Sequence, residues 1–476
     1  MRPIQHPATN RSAEFRKVVD VFLSQPGLPF GGVLSAERIQ RVFEKHNSLF
    51  GRRAIYTTAL TLWAFLGQVL RDGKLASCQS AVADVVVYQQ LTGGRVPTSD
   101  TGDYCKARMS LGVEALKDLA LEAAAEVEEQ ASPEWLWKGR HVKLVDGFTF
   151  TMPDTAENQA EYPQQKGQKP GIGFPIARVC AIVSLATACV TALTLGKYAG
   201  KETGENALLR QLIDTLSPGD VLVGDRYYCS FMMIALLLGQ GVDVCARMHQ
   251  RRHVDFRRGK RLGKYDHLIV WNRPVRPAWM DEATYDSIPE SITMREIRFH
   301  IIEPGRRTEV LTVATTLIDA ETYTKEDIAG LYGYRWNSEL DIRSIKTSLN
   351  LDHVRCKSPA MVHRELWTTL LGYNLIRTTA ATAAAAALLH NCQAREISFT
   401  ATCQMLLAGW MPQSALAMPV EELRNYCSCL LFRISQCRVG HRPGRIEPRV
   451  LKRRRHGYPL MKEPRRVFKA KHHPSM

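Results

Sequence analysis

Residues 141–151 read HVKLVDGFTFT, an apolar run in which Val142, Leu144, Val145, Phe148 and Phe150 surround a single acid, Asp146. Such a run predicts a buried strand, Val142 to Thr151. An acid there costs desolvation unless a partner or a metal neutralises it. Working outward, the pattern predicts strands from Ile176 to Leu185 and Val190 to Tyr198, then a helix from Asn206 to Leu216. A further strand, Val221 to Asp225, ends on a second acid, and a helix follows from Phe231 to Gly239. Three strands, a helix, a strand and a helix make an α/β order. Either aspartate alone says little, because strands often end in Asp at a turn.

Before this region the chain reads as helical, with 3.6-residue periodicity over Ala36 to Lys45, Thr57 to Leu70 and Val113 to Glu129, and a loop at Ser99 to Asp103. After it come candidate strands at His267 to Trp271, Arg295 to Ile302 and Glu309 to Thr316, then helices from Pro359 to about Leu407. Between them lies YGYRWNSELDIRSIK, Tyr332 to Lys346, which reads as one helix. Tyr332, Arg335, Glu339 and Lys346 stand at offsets 0, 3, 7 and 14. At about 100° per residue they fall within roughly 60° of one another. One face thus carries a phenol, two cations and a carboxylate beside an apolar stripe of Leu331, Ile342, Ile345 and Leu349. That layout suits a phosphate and a divalent metal. A solvated helix with an Arg335/Glu339 pair is the plainer alternative. Asp146, Asp225 and Glu339 together make an oxygen-ligand set for Mg²⁺.

Taken together, these residues resemble the DDE transposases of bacterial insertion sequences, in the family four branch with the signature Y-(2)-R-(3)-E-(6)-K. The signature is complete as Tyr332, Arg335, Glu339 and Lys346, while DGFTFTMPDTAENQAEYPQ from Asp146 resembles the first-aspartate block and GDRYYCSF around Asp225 the second. Tyr227 departs from the small residue that many relatives carry there. The resemblance spans residues 140 to 378. With the element order it implies an α/β fold: a ribonuclease-H-like catalytic core at 136–378 with an all-β insertion at about 245–325. A helical N-terminal region (1–135) would recognise transposon ends. A helical C-terminal region (379–437) and a basic flexible tail (438–476) would follow. In such a core the first and fourth strands lie side by side, making neighbours of Asp146 and Asp225.

The implied chemistry is metal-dependent cut-and-paste transposition: end cleavage, a hairpin intermediate and strand transfer. Two Mg²⁺ ions, with Mn²⁺ as a substitute, would be held by Asp146, Asp225 and Glu339, Asp146 bridging. Tyr332, Arg335 and Lys346 would contact DNA phosphates. Trp336 would stack on a flipped base, with Trp271 and Trp279 as weaker candidates. The implied partners are double-stranded transposon-end and target DNA, bound by a homodimer. A ribonuclease-H-like nuclease without strand transfer, or a non-catalytic DNA-binding protein, stays open from the residues alone.

Composition agrees with a polyanionic partner: Lys and Arg exceed Asp and Glu by 16 over 476 residues. From Arg438 to Lys471 there are 13 Lys or Arg against Glu447 and Glu463, so much of the excess lies in a tail built around KRRRH, Lys452 to His456. A proline-rich basic arm of this kind adds sequence-independent affinity for DNA. The first residues lack the apolar core of a secretory signal, and the apolar stretch Leu366 to Leu389 contains Asn374 and Arg377, which predicts a buried helix and no membrane partner. The expected location is the bacterial cytoplasm, at the nucleoid. Twelve scattered cysteines read as reduced thiols there. Cys427, Cys429, Cys437 and His441 have poor zinc spacing. GKYAGKE at Gly196 fails as a phosphate-binding loop, being one residue short and ending in Glu.

Overall fold

The strand read at 142–151 is β1, Val142–Thr151, in a computed structural model that describes residues 34, 36–51, 54–300, 310–386, 392–409, 420–439 and 462–472. It is followed by β2 (Ile176–Ser184), β3 (Val190–Lys197), β4 (Val221–Gly224) and β5 (Asp243–Arg247). Then come β6 (Lys260–Gly263), β7 (Asp266–Asn272), β8 (Ser291–His300) and β9 (Val310–Thr315). All nine form one sheet in the order β3-β2-β1-β4-β5-β9-β8-β7-β6. β1 runs antiparallel to β2 and parallel to β4, and β4 is parallel to β5. The chain is therefore mixed α/β, built on one large sheet.

The side-chain alternation of the strands covers both faces of this sheet. Val145 of β1, Leu222 of β4 and Val244 of β5 point to one face, where they pack with Phe231, Met233 and Leu237 of the helix Phe231–Gly239. Their neighbours Leu144, Val223 and Cys245 point to the other, against Ile328, Leu331 and Tyr332 of the helix Lys325–Gly333. That helix starts at a capping box in which Thr324 and Asp327 satisfy each other's backbone N–H groups.

The insertion expected at 245–325 is part of this sheet and is not wholly β. β9 pairs with the edge of β5, Cys245 opposite Thr315, so β8, β7 and β6 extend the core sheet outward. An unpaired β5 edge would otherwise expose its backbone groups. A short helix, Glu282–Ser287, capped by Asp281, interrupts the strands.

Two compact units divide the chain: Met1–Trp135, Ala186–Thr191 and Asp341–Val439 make one, and Leu136–Leu185, Ala192–Leu340 and Gly440–Met476 the other, which holds most of the sheet. In the helical unit, Ala36–Lys45, Thr58–Val69 and Val113–Glu129 fall where periodicity placed them. The long helix Pro359–Ala386 packs on Val113–Glu129 there, so the change of unit lies near residue 340, short of the expected 378. Burial of its polar residues is the reason. Fully buried Asn374 accepts from Val190 N–H at 2.9 Å and donates to the Ala120 carbonyl at 2.8 Å. Arg377 pairs with buried Asp341 at 3.0 Å, and Arg395 reaches the same carboxylate at 2.8 Å.

Among the described residues no helix is long and apolar enough to cross a membrane. The twelve cysteines are free thiols. The KRRRH stretch and His441 lie outside the described residues. Within the tail expected to be a flexible arm, Arg465–His472 is helical, opening after Pro464, whose carbonyl accepts from Val467 and Phe468 at 3.0 Å.

Candidate active site

Asp146 stands two residues past Leu144, the last β1 residue paired with β4, and Asp225 two residues past that residue's partner, Val223. Adjacent parallel strands thus deliver both aspartates at one end of the sheet, 79 positions apart in the chain. By alternation each shares the face of Leu144 and Val223, the face that carries the helix Lys325–Gly333. Asp146 is held from three sides. Its Oδ1 accepts from the Gly147 N–H at 2.9 Å, its Oδ2 lies 3.1 Å from the Ser338 hydroxyl, and Arg335 Nη1 lies 3.7 Å from that same Oδ2. Asp225 closes a turn in which Tyr227 N–H donates to its Oδ1 at 2.7 Å. Tyr227 itself is exposed, so a bulky residue fits at this turn.

Burial pushes the Asp146 carboxyl above the ordinary aspartate range, and the charge of Asp225 adds to the shift. Gly147, Arg335 and Ser338 act against it. The coupling between the aspartates is the electrostatic signature of acids that lack a neutralising cation.

The signature helix is not continuous. Lys325–Gly333 ends, Tyr334 intervenes, Arg335–Arg343 follows, and Ser344–Ser348 forms a π-helical turn. At the junction Asn337 N–H donates to the Tyr334 carbonyl at 2.8 Å, a tighter i+3 bond that shifts the helical phase. The four signature residues therefore do not share one stripe. Arg335 and Glu339 do meet: the guanidinium donates to Glu339 Oε1 while its other nitrogen faces Asp146. Tyr332 is 7 % exposed and packs in the core, where burial raises its hydroxyl pKa. Lys346 belongs to the helical unit and pairs with Asp352 at 2.9 Å.

Trp336 projects into solvent at 52 % exposure. Trp271 does not suit stacking, since it is buried with its indole N–H on Glu296 at 2.8 Å and Arg252 3.5 Å from its ring centroid. Trp279 is covered by Arg210 at 3.8 Å.

Among the described residues, no three His, Cys, Asp or Glu side chains are gathered closely enough to hold a metal ion. Arg335 gives the physical reason: a guanidinium lies between Asp146 and Glu339, where a cation shared by these acids would sit. The donors are all carboxylate oxygens, the chemistry of a hard divalent cation.

Sequence reasoning missed two members of this cluster. Ser338, fully buried, touches Asp146; its only signal was its place one residue before Glu339. Glu205, in the stretch that resembled a failed phosphate-binding loop, acts electrostatically on both Asp225 and Asp146, and burial followed by these charges raises its own pKa.

The family described as Transposase DDE domain matches residues 137–375. Transposase InsG for insertion sequence element IS4, from Escherichia coli (strain K12), is 24% identical over 440 residues, covering 92% of this chain and 94% of that protein. Among solved structures, the piggyBac transposase synaptic complex with hairpin DNA, determined by cryo-EM, aligns with a TM-score of 0.41 and 9% identity over 90% of this chain and 86% of that one.

Proposed function

The chain belongs to the DDE transposases, on the branch of the IS4 enzyme, and from that premise we propose that Asp146, Asp225 and Glu339 are its catalytic carboxylates. It is an enzyme that cleaves DNA and transfers strands, with DNA as its partner. The observation that carries the assignment is the convergence at one sheet end: Asp146 and Asp225 close adjacent parallel strands, and Glu339 shares a guanidinium with Asp146.

The core is ribonuclease-H-like in this reading, a view supported by the β3-β2-β1-β4-β5 order with β1, β4 and β5 parallel. The three acids would hold a pair of divalent ions, Mg²⁺ or Mn²⁺, which when bound activate a water or 3′-hydroxyl and shield the leaving oxygen. The protein's own residues do the rest. Ser338 fixes the rotamer of Asp146 from below. Arg335 leaves the acids when they bind cations and turns its planar fork to a DNA phosphate. Lys346 adds a second phosphate contact, Tyr332 anchors the helix that carries Arg335, and exposed Trp336 stacks on the base displaced during hairpin formation. Two protomers, one per transposon end, complete the working complex, with the N-terminal helices reading the ends and the basic tail adding backbone affinity.

The test uses full-length protein and duplexes carrying the element's own terminal repeats. Asp146→Asn should retain end binding in a gel-shift assay and lose Mg²⁺-dependent nicking and strand transfer together. Undiminished cleavage by this variant defeats the assignment.

A further inference from the structure

Gly147 is the one residue of the HVKLVDGFTFT strand without a side chain, and its place is already taken. A Cβ built on it would lie 2.6 Å from Glu205 Cδ, 2.7 Å from Cγ and 2.8 Å from Oε1. Those separations are too short for any side-chain atom to share with the carboxylate. Glu205 therefore rests against the β1 backbone beside Asp146, in the space a side chain at 147 would fill.

The direction of approach matters. Gly147 alternates with Asp146 and so faces the opposite side of the sheet, the side where Val145 packs with Leu208 and Leu209 of the short helix Glu205–Arg210. Asp146, Asp225 and Glu339 reach the sheet end from the other face. Glu205 is tied in place: the Tyr228 hydroxyl, three residues beyond Asp225 and almost fully buried, donates to its carboxylate. The charge of Glu205 acts on Asp225 first and on Asp146 next. Arg178 offers a partly compensating charge, but this guanidinium donates to the Thr203 carbonyl at 3.0 Å and lies over the Tyr198 ring at 4.8 Å.

We propose that Glu205 is a fourth acidic ligand of the catalytic centre, entering through the gap at Gly147 to help hold the ion shared by Asp146 and Asp225. The inference rests on the assignment of those two aspartates. It explains two sequence features at once: why a glycine follows Asp146 in a strand otherwise rich in β-branched and aromatic residues, and why a tyrosine inside the second-aspartate block is buried with its hydroxyl turned inward.

The test is Mn²⁺ binding by the full-length, DNA-free protein, read from the electron paramagnetic resonance signal of free Mn²⁺. Glu205→Gln keeps the size of the side chain and an acceptor for Tyr228, so its metal-free melting temperature should stay close to that of the parent. Its Mn²⁺ affinity should fall by roughly tenfold or more, the scale seen when a residue supporting a metal site is lost. Gly147→Ala, whose methyl displaces the same carboxylate, should produce a comparable loss. The double variant should be no worse than either single one, because both remove one interaction. Parent-like Mn²⁺ affinity in Glu205→Gln, with binding lost in Asp146→Asn, overturns the role of Glu205 and leaves the three-acid assignment standing. Parent-like affinity in Asp146→Asn overturns the assignment itself. If Gly147→Ala does not fold, Glu205→Gln decides the matter alone.

Discussion

Replacing Arg335 with Gln should tighten metal binding while slowing cleavage. The guanidinium hydrogen-bonds Glu339 and stands 3.7 Å from Asp146, so it competes with any cation that these acids would share. Two unit charges at that separation attract by about 4 kcal/mol at an effective dielectric near 20. The net value is smaller. The Glu339 side chain is 39% exposed and solvent screens its part of the pair, and Arg335 has given up hydration to be there. About 1–2 kcal/mol of competition remains, equivalent to roughly a five- to thirtyfold change in a binding constant. Isothermal titration of the DNA-free protein with Mn²⁺ should show Arg335→Gln binding more tightly by that factor. Cleavage of end duplexes at saturating metal should be slower, because the phosphate contact is gone. Arg335→Lys, which keeps the charge without the planar fork, should lie between. Unchanged or weaker Mn²⁺ binding in Arg335→Gln would refute the view that this side chain stands in for a metal.

Other consequences are as direct. Asp146 has a folded-state pKa raised by burial, so the folded protein binds more protons than the unfolded chain between about pH 4 and that raised value, and stability is lost as pH rises through it. Metal-free Asp146→Asn should therefore melt higher than the parent at neutral pH and lose that advantage below the usual carboxylate range; a lower neutral-pH melting point would contradict the sign. Asp341→Asn leaves Arg377 and Arg395 facing each other without their shared carboxylate, which should cost about 3–5 kcal/mol, measurable as a lower urea midpoint of the helical signal. An unshifted midpoint would show that the pair of arginines is solvated. Trp336→Ala should weaken binding to end duplexes with an unpaired base by about 1–3 kcal/mol and leave Mn²⁺ binding alone; equal affinity for the unpaired-base duplex would remove Trp336 from the interface.

What the sequence made legible was whatever depends on neighbours along the chain. Periodicity over ten or more residues located Val113–Glu129, β1 and Phe231–Gly239 with their observed ends, since burial of alternate or every third to fourth residue is written locally. The pairing of Asp146 with Asp225 was legible through the order of elements, because a parallel β1–β4 pair leaves few places for the strand ends. The break at Tyr334 and the π turn at Ser344–Ser348 were not, as one shifted hydrogen bond changes helical phase without altering residue types. That is why Tyr332 reads as a phosphate ligand on an ideal helix and is found in the core. Glu205 was hidden for another reason: its position follows from an absent side chain at Gly147, a contact between segments 58 residues apart.

The charges at this sheet end run opposite to those of the chain as a whole. The protein carries an excess of 16 positive charges, yet Asp146, Asp225, Glu205 and Glu339 meet where Arg335 is their closest cation in the contacts described. A DNA phosphate drawn to the basic surface would be repelled at this spot until divalent ions neutralise the acids. The same ions would free Arg335, converting a counter-charge into a phosphate ligand at the moment the site can react. Binding and cleavage would thus respond differently to metal. DNA held by the basic surface needs none, whereas a scissile phosphate can settle among four carboxylates only after the cations have arrived. Adding a chelator to a complex already formed on end DNA should accordingly leave the protein bound and release only the protection of the phosphates flanking the cleavage point.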